Sequence, residues 1–201
     1  MYLIMITGPS GSGKTTLSND ILKNLDNSHL ISTDDYYRTD LFSKIASKLY
    51  RSYFDNLISL NKKRLIDDIN YIFKYKKINH YYKYDFKNKT SIKIYKKFIN
   101  IENLIIEGIF TLDLLDVVSK NNFLLVKLDL NKDTCKERIF KRDLLDRGKN
   151  KNKIYNNFNN AWEIYIKKEK NYKSISKKRE LIIRKDISSK IVIDKLFKLN
   201  Q

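Results

Sequence analysis

Short apolar runs alternate along this chain with longer stretches in which apolar residues recur every three or four positions. The alternation predicts strands separated by helices. Tyr2-Leu3-Ile4-Met5-Ile6-Thr7 is a nearly continuous apolar run, the pattern of a strand buried on both faces. Leu17, Ile21, Leu22 and Leu25 follow at helical spacing. His29-Leu30-Ile31-Ser32 predicts a second strand. Helices are expected over 41–50 and 64–75, the latter with Leu65, Ile69, Ile72 and Phe73 on one apolar face. Residues 78–99 alternate tyrosine and other apolar residues with lysine, which predicts a hairpin or loop-rich insertion. Strands are expected over 103–107 and 123–130, and helices over 131–146 and 155–169. Phe158, Trp162 and Tyr165 in the last of these read as a core-facing stripe. A short strand over 180–184 and a helix over 188–199 close the chain. Strands alternating with helices argue for an α/β fold with a parallel sheet, whose ligands sit at the carboxyl ends of the strands.

Glycine placement adds chemistry to this pattern. The chain has five glycines, and they fall in three short segments. Gly8, Gly11 and Gly13 lie in Gly8-Pro9-Ser10-Gly11-Ser12-Gly13-Lys14-Thr15, directly between the first strand and the first helix. That is the phosphate-binding loop G-x-x-x-x-G-K-[ST] in its strand-to-helix context. Residues Gly8 to Thr16, with Pro9, Ser10, Ser12 and Thr16 among them, are therefore expected to cradle a nucleotide, because loop amides and a helix N-terminus together form an anion site. Lys14 would reach the β- and γ-phosphates, and the Thr15 hydroxyl would ligate Mg²⁺.

Acidic residues stand at the ends of two other predicted strands. Asp34 and Asp35 follow the second strand. A kinase acting on a hydroxyl needs a carboxylate to orient the nucleophile and accept its proton. One of the pair is expected in that role, and the other as a cap or in the Mg²⁺ shell. Glu107 ends an apolar strand and precedes Gly108, a place for a carboxylate that holds Mg²⁺ directly or through water. Further on, Arg138 and Arg142 share a helix face, with Lys141 beside them and Arg147 just beyond. Cys135, Ile139 and Leu144 are expected to face inward. Arginines carried on a lid over about 138–153 would stabilise charge on the transferred phosphoryl group.

Composition bounds these readings. Residues 1–201 suffice for one ordinary domain with a real core. The lone cysteine, Cys135, excludes an internal disulfide and fits a reducing compartment. The chain opens on its first strand, so no secretory signal is expected, and no apolar run approaches the roughly 20 residues of a membrane span. The formal net charge is +18. Scattered lysines, together with abundant Asn, Ile and Tyr, read as an AT-rich coding bias rather than as a basic arm built for nucleic acid. Charge alone supports only non-specific phosphate attraction. A cytoplasmic protein is expected, or a stromal one if the gene is organelle-encoded.

The combined segments resemble the uridine kinase / phosphoribulokinase family of P-loop kinases. They are GPSGSGKTT at 8–16, STDDYYR at 32–38, YDF at 84–86, IIEGIF at 105–110 and KRDLLDRGK at 141–149. The resemblance implies a five-stranded parallel sheet flanked by helices, with a small hairpin (about 78–99) over the acceptor site and an arginine lid. It implies ATP or GTP as donor with Mg²⁺, and a homo-oligomer, since uridine kinases of this type are often tetramers. By the same resemblance Asp34 is the catalytic aspartate, and Tyr37 and Tyr84 pack against the nucleoside. Asp55 binds the ribose hydroxyls, and Arg142 and Arg147 are the substrate-side and lid arginines. Departures accompany the match. Asp55-Asn56-Leu57 replaces an Asp-His-Pro phrase, and Lys89 stands near the position of a histidine that reads the pyrimidine. Arg179-Glu180-Leu181-Ile182-Ile183 replaces the usual phrase before the last strand. The expected function is phosphorylation of a small-molecule hydroxyl, first of all the 5′-hydroxyl of uridine or cytidine. Ribulose phosphate, nicotinamide riboside and a non-catalytic nucleotide-binding regulator are the alternatives.

Overall fold

A computed structural model describes residues 1–50, 53–118, 121–145, 150–172, 179–185 and 188–199. Five parallel strands form the central sheet: β1 (Tyr2–Thr7), β2 (Ser28–Ser32), β5 (Asn103–Glu107), β6 (Phe123–Leu128) and β7 (Glu180–Ile183). Their order across the sheet is β2-β5-β1-β6-β7. β3 (Ile78–Asp85) and β4 (Thr90–Phe98) pair antiparallel as a separate two-stranded sheet. The helices are α1 (Lys14–Asn24), α2 (Leu41–Leu49), α3 (Lys62–Tyr75), the short α4 (Leu115–Val118), α5 (Lys132–Leu145), α6 (Lys151–Asn171) and α7 (Ser189–Lys198).

The continuous apolar runs are explained by burial on both sides. Alternate residues of β1 feed opposite faces, as strand geometry requires. Leu3 and Met5 join Ile31, Leu104, Ile106 and Leu125 in one core, packed with Leu65, Ile69 and Ile72 of α3. Ile4 and Ile6 join Ile105, Leu124 and Val126 in the other, with Leu17 and Ile21 of α1 and Val192 and Leu196 of α7. α3 is capped at its start by the Asn61 side chain, which accepts from Arg64 N at 3.2 Å, and ends where Lys76 turns left-handed, φ 50°. α5 and α6 lie together over a third cluster of Cys135, Ile139, Ile154 and Phe158, with Trp162 partly buried beside it. Tyr165 is buried as well, so the aromatic stripe of α6 is a packing face. Leu144 departs from expectation. It is 38% exposed, and the buried residue next to it is Asp143. α2 is turned the other way from most surface helices, with Ser43 and Ala46 inward and Leu41, Phe42, Ile45 and Leu49 exposed. No helix among the described residues is long and apolar enough to cross a membrane.

The hairpin is fastened to the turn that follows β2. Asp35 Oδ1 accepts the backbone N–H of Tyr84 at 2.9 Å, and the Asp35 carbonyl oxygen accepts from Ser91 Oγ at 3.4 Å. One residue thus holds both hairpin strands. The carboxylate of Asp35 thus serves the hairpin and not a helix N-terminus. Its second oxygen lies 3.8 Å from Lys83 Nζ. At the other end of the hairpin Tyr36 donates its hydroxyl to Asp68 Oδ2 on α3 at 2.8 Å, and His80 Nε2 lies 3.3 Å from Asp68 Oδ1.

Removing the Asp35 carboxylate leaves the Tyr84 N–H without its partner. Asp35→Ala is expected to cost about 1–3 kcal/mol of stability in denaturant unfolding, the range for stranding a largely buried donor. Amide exchange should rise across β3 and β4 while the amides of β1 and β5 stay protected.

Candidate active site

The carboxyl ends of β1, β2 and β5 set the site. β1 runs into the glycine loop, and α1 starts at Lys14. Gly11 and Gly13 have φ of 85° and 95°, a left-handed backbone that side chains rarely adopt. A Cβ on Gly11 would also strike the carbonyl oxygen of Cys135, so the loop rests directly on α5. Lys14 curls back over the loop and donates to the carbonyls of Gly8 at 2.9 Å and Pro9 at 3.0 Å. An ammonium has three donors, so these two bonds leave a third for a ligand cradled by the loop.

Parallel register brings Glu107 opposite Ile6 of β1 and Ser32 of β2. Ser32 Oγ donates to Glu107 Oε1 at 2.6 Å, and Thr15 Oγ1 approaches the same oxygen at 3.5 Å. Lys14 and Glu107 are both buried. Burial pulls the Lys14 pKa below its ordinary value, opposed by the charges of Glu107 and Asp34 and reinforced by Arg142. Burial pushes Glu107 up, reinforced by Asp34 and opposed first by Lys14 and then by the Ser32 hydrogen bond. Lys14, Glu107, Asp34 and Arg142 thus gather within one another's field. Thr15, Ser32 and Glu107 supply oxygen only, the donor chemistry that suits Mg²⁺. The Ser12 and Thr33 hydroxyls are buried and find no hydrogen-bond partner among the described residues, polar positions open to a bound group. Among those residues no three His, Cys, Asp or Glu side chains form a metal cluster. Any Mg²⁺ here would complete its shell with phosphate and water oxygens.

Beside the loop a cleft of about 1070 Å³ is lined by Gly13, Thr16, Asp20, Asn131, Arg138 and Arg184, among others. Arg138 Nη1 reaches the carbonyls of Gly11 and Ser12, each at 3.5 Å. Arg142 is 41% exposed at its side chain and folds onto Asp143, with Nη2 to Oδ1 at 2.8 Å. Arg147 lies outside the described residues, so the expected lid of 138–153 is described only as the flanking parts of α5 and α6.

On the far side of Asp34 stands a packed cluster of aromatic rings, with Tyr37 and Tyr84 buried and Phe54 and Phe86 partly exposed. The centroid of Tyr37 lies 5.1 Å from Phe54, 5.1 Å from Tyr84 and 6.0 Å from Phe86. The Tyr37 hydroxyl donates to the Phe54 carbonyl at 2.9 Å and lies 3.4 Å from Asp34 Oδ1. Burial raises its pKa well above the ordinary value, and the charges of Asp34 and Asp55 add to the rise. Lys89 Nζ stands 5.9 Å from the Phe54 ring and donates to Ser47 Oγ on α2 at 3.0 Å. The structure therefore brings the sequence-predicted residues into two adjoining groups: Lys14, Thr15, Glu107 and Asp34, then Tyr37, Asp55, Tyr84 and Lys89. Sequence reasoning did not pick out Ser32, Phe54 or Phe86. Ser32 becomes visible only through its register with Glu107. Phe54 and Phe86 are adjacent to residues already chosen.

A family model described as the phosphoribulokinase / uridine kinase family matches residues 3–179. Uridine kinases of Staphylococcus aureus strains JH9 and Newman are each 28% identical to this chain over 203 aligned positions, covering 96% of it and 91% of the relative. A solved structure from Silicibacter sp. TM1040, provisionally described as a fructose transport system kinase, superposes with a TM-score of 0.65. It is 18% identical and covers 84% of each chain. A protein of undescribed role from Eubacterium ventriosum superposes with a TM-score of 0.51 at 14% identity.

The raised Glu107 pKa carries a signed consequence. A carboxyl that protonates more readily folded than unfolded makes the folded state lose stability as pH rises from the ordinary 4.5 through the raised value. Glu107→Gln removes that segment of the pH dependence. The stability difference, variant minus wild type, should grow in favour of the variant across that window and then level off in urea titrations run as a pH series. A difference that stays flat with pH would contradict the assignment.

Proposed function

The chain belongs to the phosphoribulokinase / uridine kinase family, and we propose that it transfers the γ-phosphoryl group of ATP or GTP to the 5′-hydroxyl of uridine or cytidine. That it is a P-loop phosphotransferase acting on the hydroxyl of a small molecule follows from family membership. The nucleoside assignment is supported by one observation above all. The Tyr37 hydroxyl lies 3.4 Å from Asp34 while its ring packs in the aromatic cluster. A flat base laid against the partly exposed Phe54 and Phe86 at the edge of that cluster would keep an attached sugar near the Asp34 carboxylate.

The residues divide the work by position. The loop from Gly8 to Thr16 holds the donor phosphates, and Lys14 supplies positive charge to the β- and γ-oxygens. Thr15 and Glu107 would hold Mg²⁺, directly or through water, with Ser32 fixing the carboxylate. When bound, Mg²⁺ neutralises charge on the donor phosphates. The cleft between α1 and Arg184 takes the rest of the donor nucleotide. Asp34 orients the acceptor hydroxyl and takes its proton as the new phosphorus–oxygen bond forms and the bond to the departing diphosphate breaks. Asp55, next to Phe54, binds the ribose hydroxyls. Arg142, from α5, and Arg147 stabilise charge on the transferred group. The reaction is one of pyrimidine salvage. A lone, buried Cys135 suits the reducing cytoplasm.

Nucleotide-coupled turnover on uridine, cytidine, nicotinamide riboside and ribulose 5-phosphate tests the proposal. Uridine or cytidine should be phosphorylated in preference to the other two. Asp34→Asn should lower kcat by about 10²–10⁴-fold, the range for losing a general base, with KM changed only a few-fold. Turnover confined to ribulose 5-phosphate would discard the nucleoside reading and leave the phosphotransfer machinery as described.

A further inference from the structure

Asp68 is a buried carboxylate that no step of the transfer uses. It stands on the face of α3 that buries Leu65, Ile69 and Ile72, and it is 9% exposed. Both of its oxygens are engaged. Tyr36, itself buried, donates its hydroxyl to Oδ2 at 2.8 Å, and His80 Nε2 of β3 stands 3.3 Å from Oδ1. Burial, and then the Asp68 charge, raise the Tyr36 pKa far above its ordinary value, so the hydroxyl keeps its proton and acts as the donor. A charge taken out of water is costly, and apolar side chains of similar volume are often as stable in its place. A hydrogen bond adds what they lack, a preferred distance and direction of approach.

The contact bears on the site through a short piece of backbone. Tyr36 ends the single 3₁₀ turn Thr33–Tyr36, and Asp34 is the second residue of that turn. The turn is gripped at both ends. At its start Thr33 is buried and lies so close to Gly108 that a Cβ there would strike its Oγ1. At its end the Tyr36 carbonyl accepts from Asn61 N at 2.8 Å, and the Tyr36 hydroxyl reaches Asp68. Asn61 caps α3, and Asp68 lies about two helical turns further along it. Tyr36 is therefore tied to α3 through its backbone and again through its side chain. With both ends of so short a turn held, little freedom is left to Asp34 between them. Placement of a catalytic group matters steeply, since an error of about 1 Å costs on the order of 10²-fold in rate. Resting on the reading of Asp34 as the general base, we infer that Asp68 is a positioning residue for the transfer: through the Tyr36 hydroxyl it sets where Asp34 meets the acceptor hydroxyl.

Steady-state kinetics of the whole chain test this, with Mg²⁺, ATP and whichever acceptor of the panel above wild type turns over fastest. The proteins are wild type, Tyr36→Phe, Asp68→Ala, Asp68→Asn and Asp34→Asn, with Tyr36→Phe also placed in the Asp34→Asn background. All are assayed well below their melting midpoints. Tyr36→Phe should lower kcat about tenfold and leave KM for ATP and acceptor within about twofold, because binding is kept and the base is misplaced. Asp68→Ala should do the same. Asp68→Asn keeps an oxygen that accepts from Tyr36, so it should recover most of the wild-type kcat. In the Asp34→Asn background Tyr36→Phe should cost less than about twofold, since no base is left to place. Should Asp68→Ala melt too low to assay, Tyr36→Phe, which removes a single oxygen, decides alone. If Tyr36→Phe costs as much without the Asp34 carboxylate as with it, the contact serves folding only and the inference is wrong. A wild-type kcat in Tyr36→Phe overturns it too. If Asp34→Asn turns over like wild type, Asp34 is not the base and the reading beneath the inference falls with it. Wild type inert toward every acceptor of the panel overturns both.

Discussion

The structure turns on a lysine and a glutamate held in a place that water barely reaches. Lys14 opens α1 just past the glycine loop and Glu107 ends β5, and each is shifted toward its neutral form by burial. Each is also restrained by the charge of the other. Such an arrangement is costly to fold and persists because surrounding groups fix its geometry. The Gly8 and Pro9 carbonyls accept two of the lysine's hydrogen bonds, and the Ser32 hydroxyl donates to one glutamate oxygen. Parallel register supplies the rest, since Ile6, Ser32 and Glu107 are drawn level across three strands. The sheet order matters here for one reason: it puts β5 between β1 and β2, so the glycine loop, the glutamate and the aspartate turn open on one edge.

Much of this was legible in the sequence, for identifiable reasons. Strands buried on both faces write long apolar runs, and β1, β5 and β6 were read from such runs nearly to the residue. The glycine loop was legible because its conformation excludes side chains, as Gly11 and Gly13 show. The hairpin was legible as alternation, since β3 buries Ile78 and Tyr84 and leaves Asn79 and Lys83 outside. What escaped were relations that need the third dimension. Asp34 and Asp35 are neighbours of the same type, and only packing shows that one faces the site while the other bonds to Tyr84 N. Leu144 looked like a core residue by type, yet α5 turns it outward and buries Asp143 against Arg142. Phe54 and Phe86 carry no motif of their own. They become parts of a cluster only when the turn before α3 and the end of β3 meet around Tyr37.

The surplus of positive charge also reads differently in three dimensions. Several lysines lie over aromatic rings, among them Lys93 over Tyr82, Lys96 over Phe98 and Lys136 over Tyr155. Others pair with acids and brace α6: Lys127 of β6 meets Glu169 at 2.8 Å, and Lys168 meets Asp113, in the turn after β5, at 2.9 Å. Lys168 also stands 4.4 Å from the ring centroid of Phe110, which in turn packs on Tyr37. α6 is therefore anchored next to the aromatic cluster around Tyr37.

The separate two-stranded sheet has a mechanical corollary. Among the described residues β3 and β4 form a sheet separate from the central one, held by the burial of Ile78 and Tyr84 in the core and by polar fastenings at Asp35, Asp68 and Ser47. The phosphate machinery sits on other elements. Residues at the tip of the hairpin can therefore change without disturbing the strands that carry the glycine loop and Glu107. The two sheets are thus mechanically separable: the hairpin can be altered as a unit while the strands that set the glycine loop keep their register.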